Sequence, residues 1–355
     1  MRGVPLESLK YVGNAPGREF ACIVAVWRRS EWTDPGSSEV VELGDGLSFI
    51  TRPFCDVADS SGARVGPSYD PWAVDGFCIL VKRDRDSGDS DELKDRVSAI
   101  FDCILLQGLF YVHELLLASE LDPAGIPNTR VLLRPRMLND ACPTAVTPDT
   151  ARKAVEMSKR YLRVAPKQDE FVVEPVEFRR LWLGLFSLRR GMRELVLTRR
   201  IHDYVQAIEA LLMLARTQGE ATFLSRASEL AVGTAQAQES LRVAWSVRCA
   251  DEHLEPVEPR VGGDIGPIFE LTWKMENLAL SSYTQLLSDD RLLEHFRTDD
   301  SIREYWCAKS AVERLNLWGN RIDLDLLKWI SRPPSGPELG RQQASANDGH
   351  GLDVC

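Results

Sequence analysis

The spacing of apolar positions changes character near the middle of the chain. Up to about residue 85 they come in short continuous runs, at 20–27, 47–50 and 77–81, separated by Gly/Pro/Asp/Ser clusters at 34–38, 59–71 and 84–90. These predict strands joined by turns. From 91 to 120 the spacing turns helical. Leu93, Val97, Ile100, Phe101, Ile104 and Leu105 recur at helical intervals, and Asp91 and Glu92 suit the first turn. The stretch 100–118 reads as a buried helix interrupted by Asp102, Gln107, His113 and Glu114, with His113 expected to be a hydrogen-bonded core histidine. Residues 129–133 read as a further strand.

A Pro/Asn/Asp-rich stretch, 135–148, separates this half from one that is helical almost throughout, with helices predicted over 149–162, 176–197, 200–216, 221–232, 235–252, 268–287 and 300–317. In the third, Ile201, Tyr204, Val205, Ile208, Leu211, Leu212 and Ala215 form one apolar stripe, so a full face is buried. In the fourth, Phe223, Leu224, Ala227, Leu230 and Ala231 do the same, and Gly233 is the expected stop. Residues 331–355 are rich in Pro, Gly, Ser, Gln and Asn and are expected to be disordered. The predicted class is α+β: a mixed α/β domain over 1–140, an all-α helical bundle over 149–330, and a tail.

Composition narrows the possible partners. A net charge of −10 argues against bulk electrostatic coating of nucleic acid, so any such site must be local. No uncharged apolar stretch of membrane-spanning length occurs and the first residues do not resemble a signal peptide, which predicts a cytoplasmic chain without membrane contact. The 8 cysteines are scattered with no C-x2-C pair, so neither a zinc site nor another metal or cofactor is expected. Paired arginines at 179–180, 189–190 and 199–200 offer local RNA affinity or, more simply, a solvated helix face.

The candidate chemistry lies in the element Arg248-Cys249-Ala250-Asp251-Glu252-His253. It puts a permanently charged fork five residues before a side chain that titrates near neutral pH. On a straight helix five steps leave a net rotation of about 140°, so the two share a face only if the helix ends or bends, which Pro256 and Pro259 favour.

The surrounding residues resemble the Apea-like branch of the HEPN superfamily. That branch has an "ALEALL"-type helix, an "F-x-x-R" helix, an "RSxxVHG"-type element, and a last helix followed by a "D-x-I-x-x-x-W" segment. They correspond here to 200–212, 223–230, 245–253, 278–287 and 299–306, and the likeness covers about residues 178–306. It implies a helical bundle that dimerises and, in active members, cleaves RNA without a metal, as toxin-like or antiviral effectors do. The family's motif arginine and histidine fall on Arg248 and His253. Glu209 and Arg226 match polar positions of the flanking helices, where a buried bridge orienting helices is the expected role. The departures are Cys249, the acidic pair Asp251-Glu252, and Leu254 where the family has glycine.

The resemblance implies that His253 moves protons at the ribose 2′-hydroxyl or the departing 5′-oxygen, while Arg248 stabilises charge on the phosphoryl oxygens. DNA, lacking the 2′-hydroxyl, is not an expected substrate. A homodimer paired about 235–252, with Trp245 as anchor, would bring two motifs together. The alternative is a non-catalytic interaction, dimerisation or nucleotide-binding protein, in which Arg248 bridges Glu209, Asp251 or Glu252 and His253 merely caps a helix.

Overall fold

The computed structural model describes residues 19–24, 40–44, 47–52, 77–83, 96, 99–100, 102–108, 116–121, 127–132, 148–165, 176–214, 219–257 and 265–327. These are mostly helical. His113, Glu114, Ala215, Pro259, the turn clusters at 34–38, 59–71 and 84–90, and the tail 331–355 lie outside the described residues.

Strands β1 (Glu19–Val24), β2 (Val40–Gly44), β3 (Leu47–Arg52), β4 (Phe77–Arg83), β5 (Leu116–Leu121) and β6 (Pro127–Leu132) form one sheet in the order β2-β3-β4-β1-β5-β6. Every neighbouring pair is antiparallel, with Cys22 of β1 opposite Leu80 on one side and Ala118 on the other. Pro127 begins an edge strand, where a missing N–H is tolerated. The helix predicted over 100–118 is shorter than its periodicity suggests. Residues 99–100 and 102–106 are helical, Gly108 follows with φ 74°, and Leu116–Leu121 is β5. A short apolar run fits either period, and pairing with β1 and β6 decides it.

The helices are α1 (Pro148–Val164), α2 (Arg179–Arg193), α3 (Leu197–Leu212), α4 (Glu220–Leu230), α5 (Ala235–Glu252), α6 (Ile265–Ser288), α7 (Asp290–Glu294), α8 (Asp299–Ala308) and α9 (Ala311–Trp318). Among the described residues no helix is long and apolar enough to cross a membrane. The helix read over 300–317 is in fact two, because Ser310 caps α9: its hydroxyl accepts from Glu313 N at 3.3 Å and the Glu313 carboxylate accepts from Ser310 N at 2.7 Å. The stop of α4 comes before Gly233, since Ala231–Val232 (β7) pairs in parallel with Ile322–Asp323 (β8).

α3 and α6 form the centre. Ile201, Tyr204, Val205, Ile208, Leu211 and Leu212 of the predicted stripe are fully buried, each side chain contributing roughly 1.5–3 kcal/mol of transfer free energy. α6 is buried almost throughout 271–280, and its Tyr283 donates to Ala207 O of α3 at 3.0 Å. Arg200 sets the turn from α2 into α3 by donating to the last carbonyls of α2, Gly191 O at 3.0 Å and Met192 O at 3.1 Å. The helical residues 102–106 join the same core. Thr284 donates to Leu106 O at 2.7 Å, and buried Asp102 accepts from Tyr161 and pairs with Arg189.

Candidate functional site

α5 begins at a threonine cap, Thr234 accepting from Gln236 N at 3.2 Å, and buries Ala237, Leu241, Ala244, Val247 and Ala250. Three of these five are alanine, so α5 lies close against α3 and its polar flank comes within reach of that helix. Arg248 stands on this flank. Its Nη2 donates to Glu209 Oε2 of α3 at 3.1 Å, its Nη1 is bound to Glu252, and its guanidinium lies over the Trp245 ring, 5.2 Å from the centroid. The Arg248 and Glu209 side chains are only 19% and 15% exposed, so this is a half-desolvated ion pair rather than a surface one. Arg248 Nε is buried and has no hydrogen-bond partner among the described residues.

Burial holds the Glu209 carboxyl well above its ordinary range, at about 7; the attraction of Arg248 opposes this and the like charge of Glu252 adds to it. The seam therefore contains a carboxyl that changes charge near neutrality directly against a fixed cation. Further along the same seam, His202 of α3 places Nδ1 2.8 Å from Asp251 Oδ2 of α5. The distance is that of a hydrogen bond, but the ring N–H is not aimed along it, and the two side chains meet without forming one.

His253 is the C-cap of α5 and is exposed. Its backbone N–H returns to Cys249 O at 3.1 Å, Leu254 follows at φ 56°, and Glu255 N closes the end on Ala250 O at 2.8 Å. This is the left-handed helix terminus that glycine ordinarily supplies, here adopted by Leu254. The His253 side chain has no hydrogen bond or ion pair among the described residues, and nothing brings it against Arg248.

Glu209 and Arg226 do not form the bridge expected between the flanking helices. Glu209 pairs with Arg248, whereas Arg226 caps the end of α3, donating to Leu212 O at 2.5 Å and Met213 O at 3.0 Å, with Trp306 under its guanidinium. The reason lies in chain direction: α3 ends on unsatisfied carbonyls, and Arg226 is the cation that reaches them. Trp245 packs on Phe223 within the chain, with ring centroids 4.8 Å apart. The paired arginines are largely engaged: Arg180 with Asp299, Arg189 with Asp102, Arg190 with Asp203, and Arg200 with the end of α2.

The residues that sequence reasoning missed are His202 and the constructive position of Asp251. A signal existed, since His202 and Glu209 are seven apart, hence on one face of α3 at the edge of its stripe. Among the described residues no group of three or more His, Cys, Asp or Glu side chains is placed to hold a metal ion. A scan against family models finds no match, and neither a search of curated proteins nor one of solved structures yields a relative.

Proposed function

We propose that this chain is a metal-independent endoribonuclease of HEPN type, a toxin-like or antiviral effector acting in the cytoplasm as a homodimer, with its site on the α3–α5 seam around Arg248. The observation that carries the reading is the half-buried Arg248 guanidinium, set against a carboxyl that titrates at about 7, on the helix that ends in an exposed histidine. Arg248 stabilises charge building on the phosphoryl oxygens, and His253 serves proton transfer at the 2′- and 5′-oxygens. For a phosphate to enter, one carboxylate must release Arg248. Glu252, at 33% side-chain exposure, is the one with water to replace the contact.

The test is cleavage of a broad RNA panel by purified full-length protein in EDTA, with end-group analysis. The expected products carry 2′,3′-cyclic phosphate and 5′-hydroxyl ends, and both Arg248→Ala and His253→Ala abolish them. An RNA panel left intact by the wild type overturns the reading.

One observation favours a second reading. Both terminal nitrogens of Arg248 are already occupied by Glu209 and Glu252, as they would be if Arg248 only joined helices in a non-catalytic dimerisation, interaction or nucleotide-binding module. On that reading the wild type cleaves no RNA, and Arg248→Ala costs stability with no activity to lose.

A further inference from the structure

Asp251 and Glu252 depart from the family's motif and look like obstacles to an RNA phosphate. Asp251, however, is the residue that His202 faces. We infer that His202, oriented by Asp251, is the general base of the Arg248 site, and that His253 is left with protonation of the leaving group. The inference rests on the endoribonuclease reading and deepens it by assigning a second histidine.

Helix phase makes the case. Residues three and four beyond Arg248 share its face of α5, whereas one five beyond is turned about 140° away. Glu252 accordingly binds Arg248, and Asp251 reaches across to α3. The histidine on the same strip of seam as the guanidinium is therefore His202, from the neighbouring helix, and not the one in the linear motif. Both contacts across this strip, Glu209 to Arg248 and His202 to Asp251, run between the same two helices.

The chemistry of the pair suits a base. A carboxylate beside Nδ1 selects the tautomer with the proton on that nitrogen and leaves the Nε2 lone pair for a substrate proton. The ring is held at 11% side-chain exposure, which limits competition from water. The misaligned N–H is the looseness expected of a catalytic contact before substrate arrives. In the reaction His202 Nε2 takes the proton from the 2′-hydroxyl as the O2′–P bond forms. The P–O5′ bond breaks, and the 5′-oxygen leaves with a proton from the imidazolium of the partner's His253, because the same chain's His253 is turned away from this strip. The two histidines exchange charge states, and water resets them.

The experiment compares two oligoribonucleotides, one natural and one with sulfur replacing the 5′-bridging oxygen. A thiolate leaves without being protonated, so the second substrate needs a base and no acid. His202→Ala and His202→Gln are expected to lose about 100-fold or more on both substrates, the usual scale of proton-transfer catalysis. His253→Ala should lose a similar factor on the natural substrate and recover on the sulfur one. A merely structural His202 would lower the melting temperature of His202→Gln together with its rate, whereas the base role lowers the rate at an unchanged melting temperature; His202→Gln, nearly isosteric, carries the test should the alanine variant fail to fold. Natural-substrate cleavage by both His202 variants at the wild-type rate overturns this inference alone, as does rescue of them by sulfur. A wild type that cleaves neither substrate overturns the endoribonuclease reading and this one with it.

Discussion

Arg248 Nη2 donates to Glu209 Oε2 at 3.1 Å, and this contact joins α5 to α3 in a place where both side chains are mostly shielded from water. Burial dominates the balance on Glu209, which holds its proton up to about 7 despite the adjacent guanidinium. Ionising Glu209 therefore costs stability as pH rises, while its attraction to Arg248 matters most once it is ionised.

Replacing Glu209 isolates that effect. The folded chain keeps a proton up to about 7 that the unfolded chain releases near the ordinary 4.5. The stability contributed by this group is thus fully present at low pH and falls as pH rises through that window. Urea denaturation of wild type and Glu209→Gln between pH 4 and 8 should give a stability difference that shifts toward the variant by about 3 kcal/mol with rising pH. A difference that stays constant with pH would mean that Glu209 titrates in the folded chain as it does in the unfolded one.

Arg248→Ala probes the other partner. It leaves Glu209 buried without its cation, and loss of one member of a buried pair costs about 3 kcal/mol when the survivor is charged. At pH 5 Glu209 carries its proton and the loss should shrink, so melting temperatures should separate more at pH 8 than at pH 5. Equal losses at the two pH values would point to packing on Trp245 as the main role of Arg248.

The helical half was legible where local signals and burial agree. The 235–252 helix could be read to the residue, because Thr234 caps it and a proline follows closely after His253. The α3 stripe was legible because one full face is apolar over about three turns. Other boundaries needed partners distant in sequence: β5 exists through β1, nearly a hundred residues earlier, and α4 stops because Ile322–Asp323 returns beside Ala231–Val232. β2 went unread although Asp45-Gly46, a strong hairpin dipeptide, stands between it and β3. At the site, the linear motif identified Arg248 and His253 but not the seam. Which carboxylates meet Arg248, and that His202 meets Asp251, is decided by the phase of α5 against α3, and a one-dimensional motif does not contain that.

Leu254 occupies a left-handed conformation, φ 56°, while 92% exposed. A side chain there adds strain and no packing. Leu254→Gly removes a penalty of about 1–2 kcal/mol and gives back part of it through the greater freedom of glycine in the unfolded chain, leaving a net gain of about 0.5–1 kcal/mol. Leu254→Ile should lose stability, since branching at Cβ worsens the same conformation. Urea midpoints of the three proteins at one pH provide the check. A glycine variant that is less stable than wild type would mean that Leu254 is covered by something, a second copy of the chain being the first to examine by light scattering.

α2 packs tightly on α3 and α6 at Gly184. A Cβ there would stand 1.7 Å from Tyr283 Oη and 2.8 Å from Ala210 Cβ, so Gly184 is required by space and not by backbone conformation. Gly184→Ala gains about 1 kcal/mol in helix propensity but forces α2 away from a tyrosine that is itself bonded to Ala207 O. The net loss should be about 2 kcal/mol, within the range of overpacked cores. Tyr283→Phe alone should cost about 1 kcal/mol for the lost hydrogen bond, yet it removes the atom that the new methyl would strike first. The double variant should therefore be more stable than the sum of the single losses predicts, with a coupling of about 1 kcal/mol in a double-mutant cycle. Strict additivity would place the obstruction at Ala210, where α2 rests on α3, and not at the Tyr283 hydroxyl.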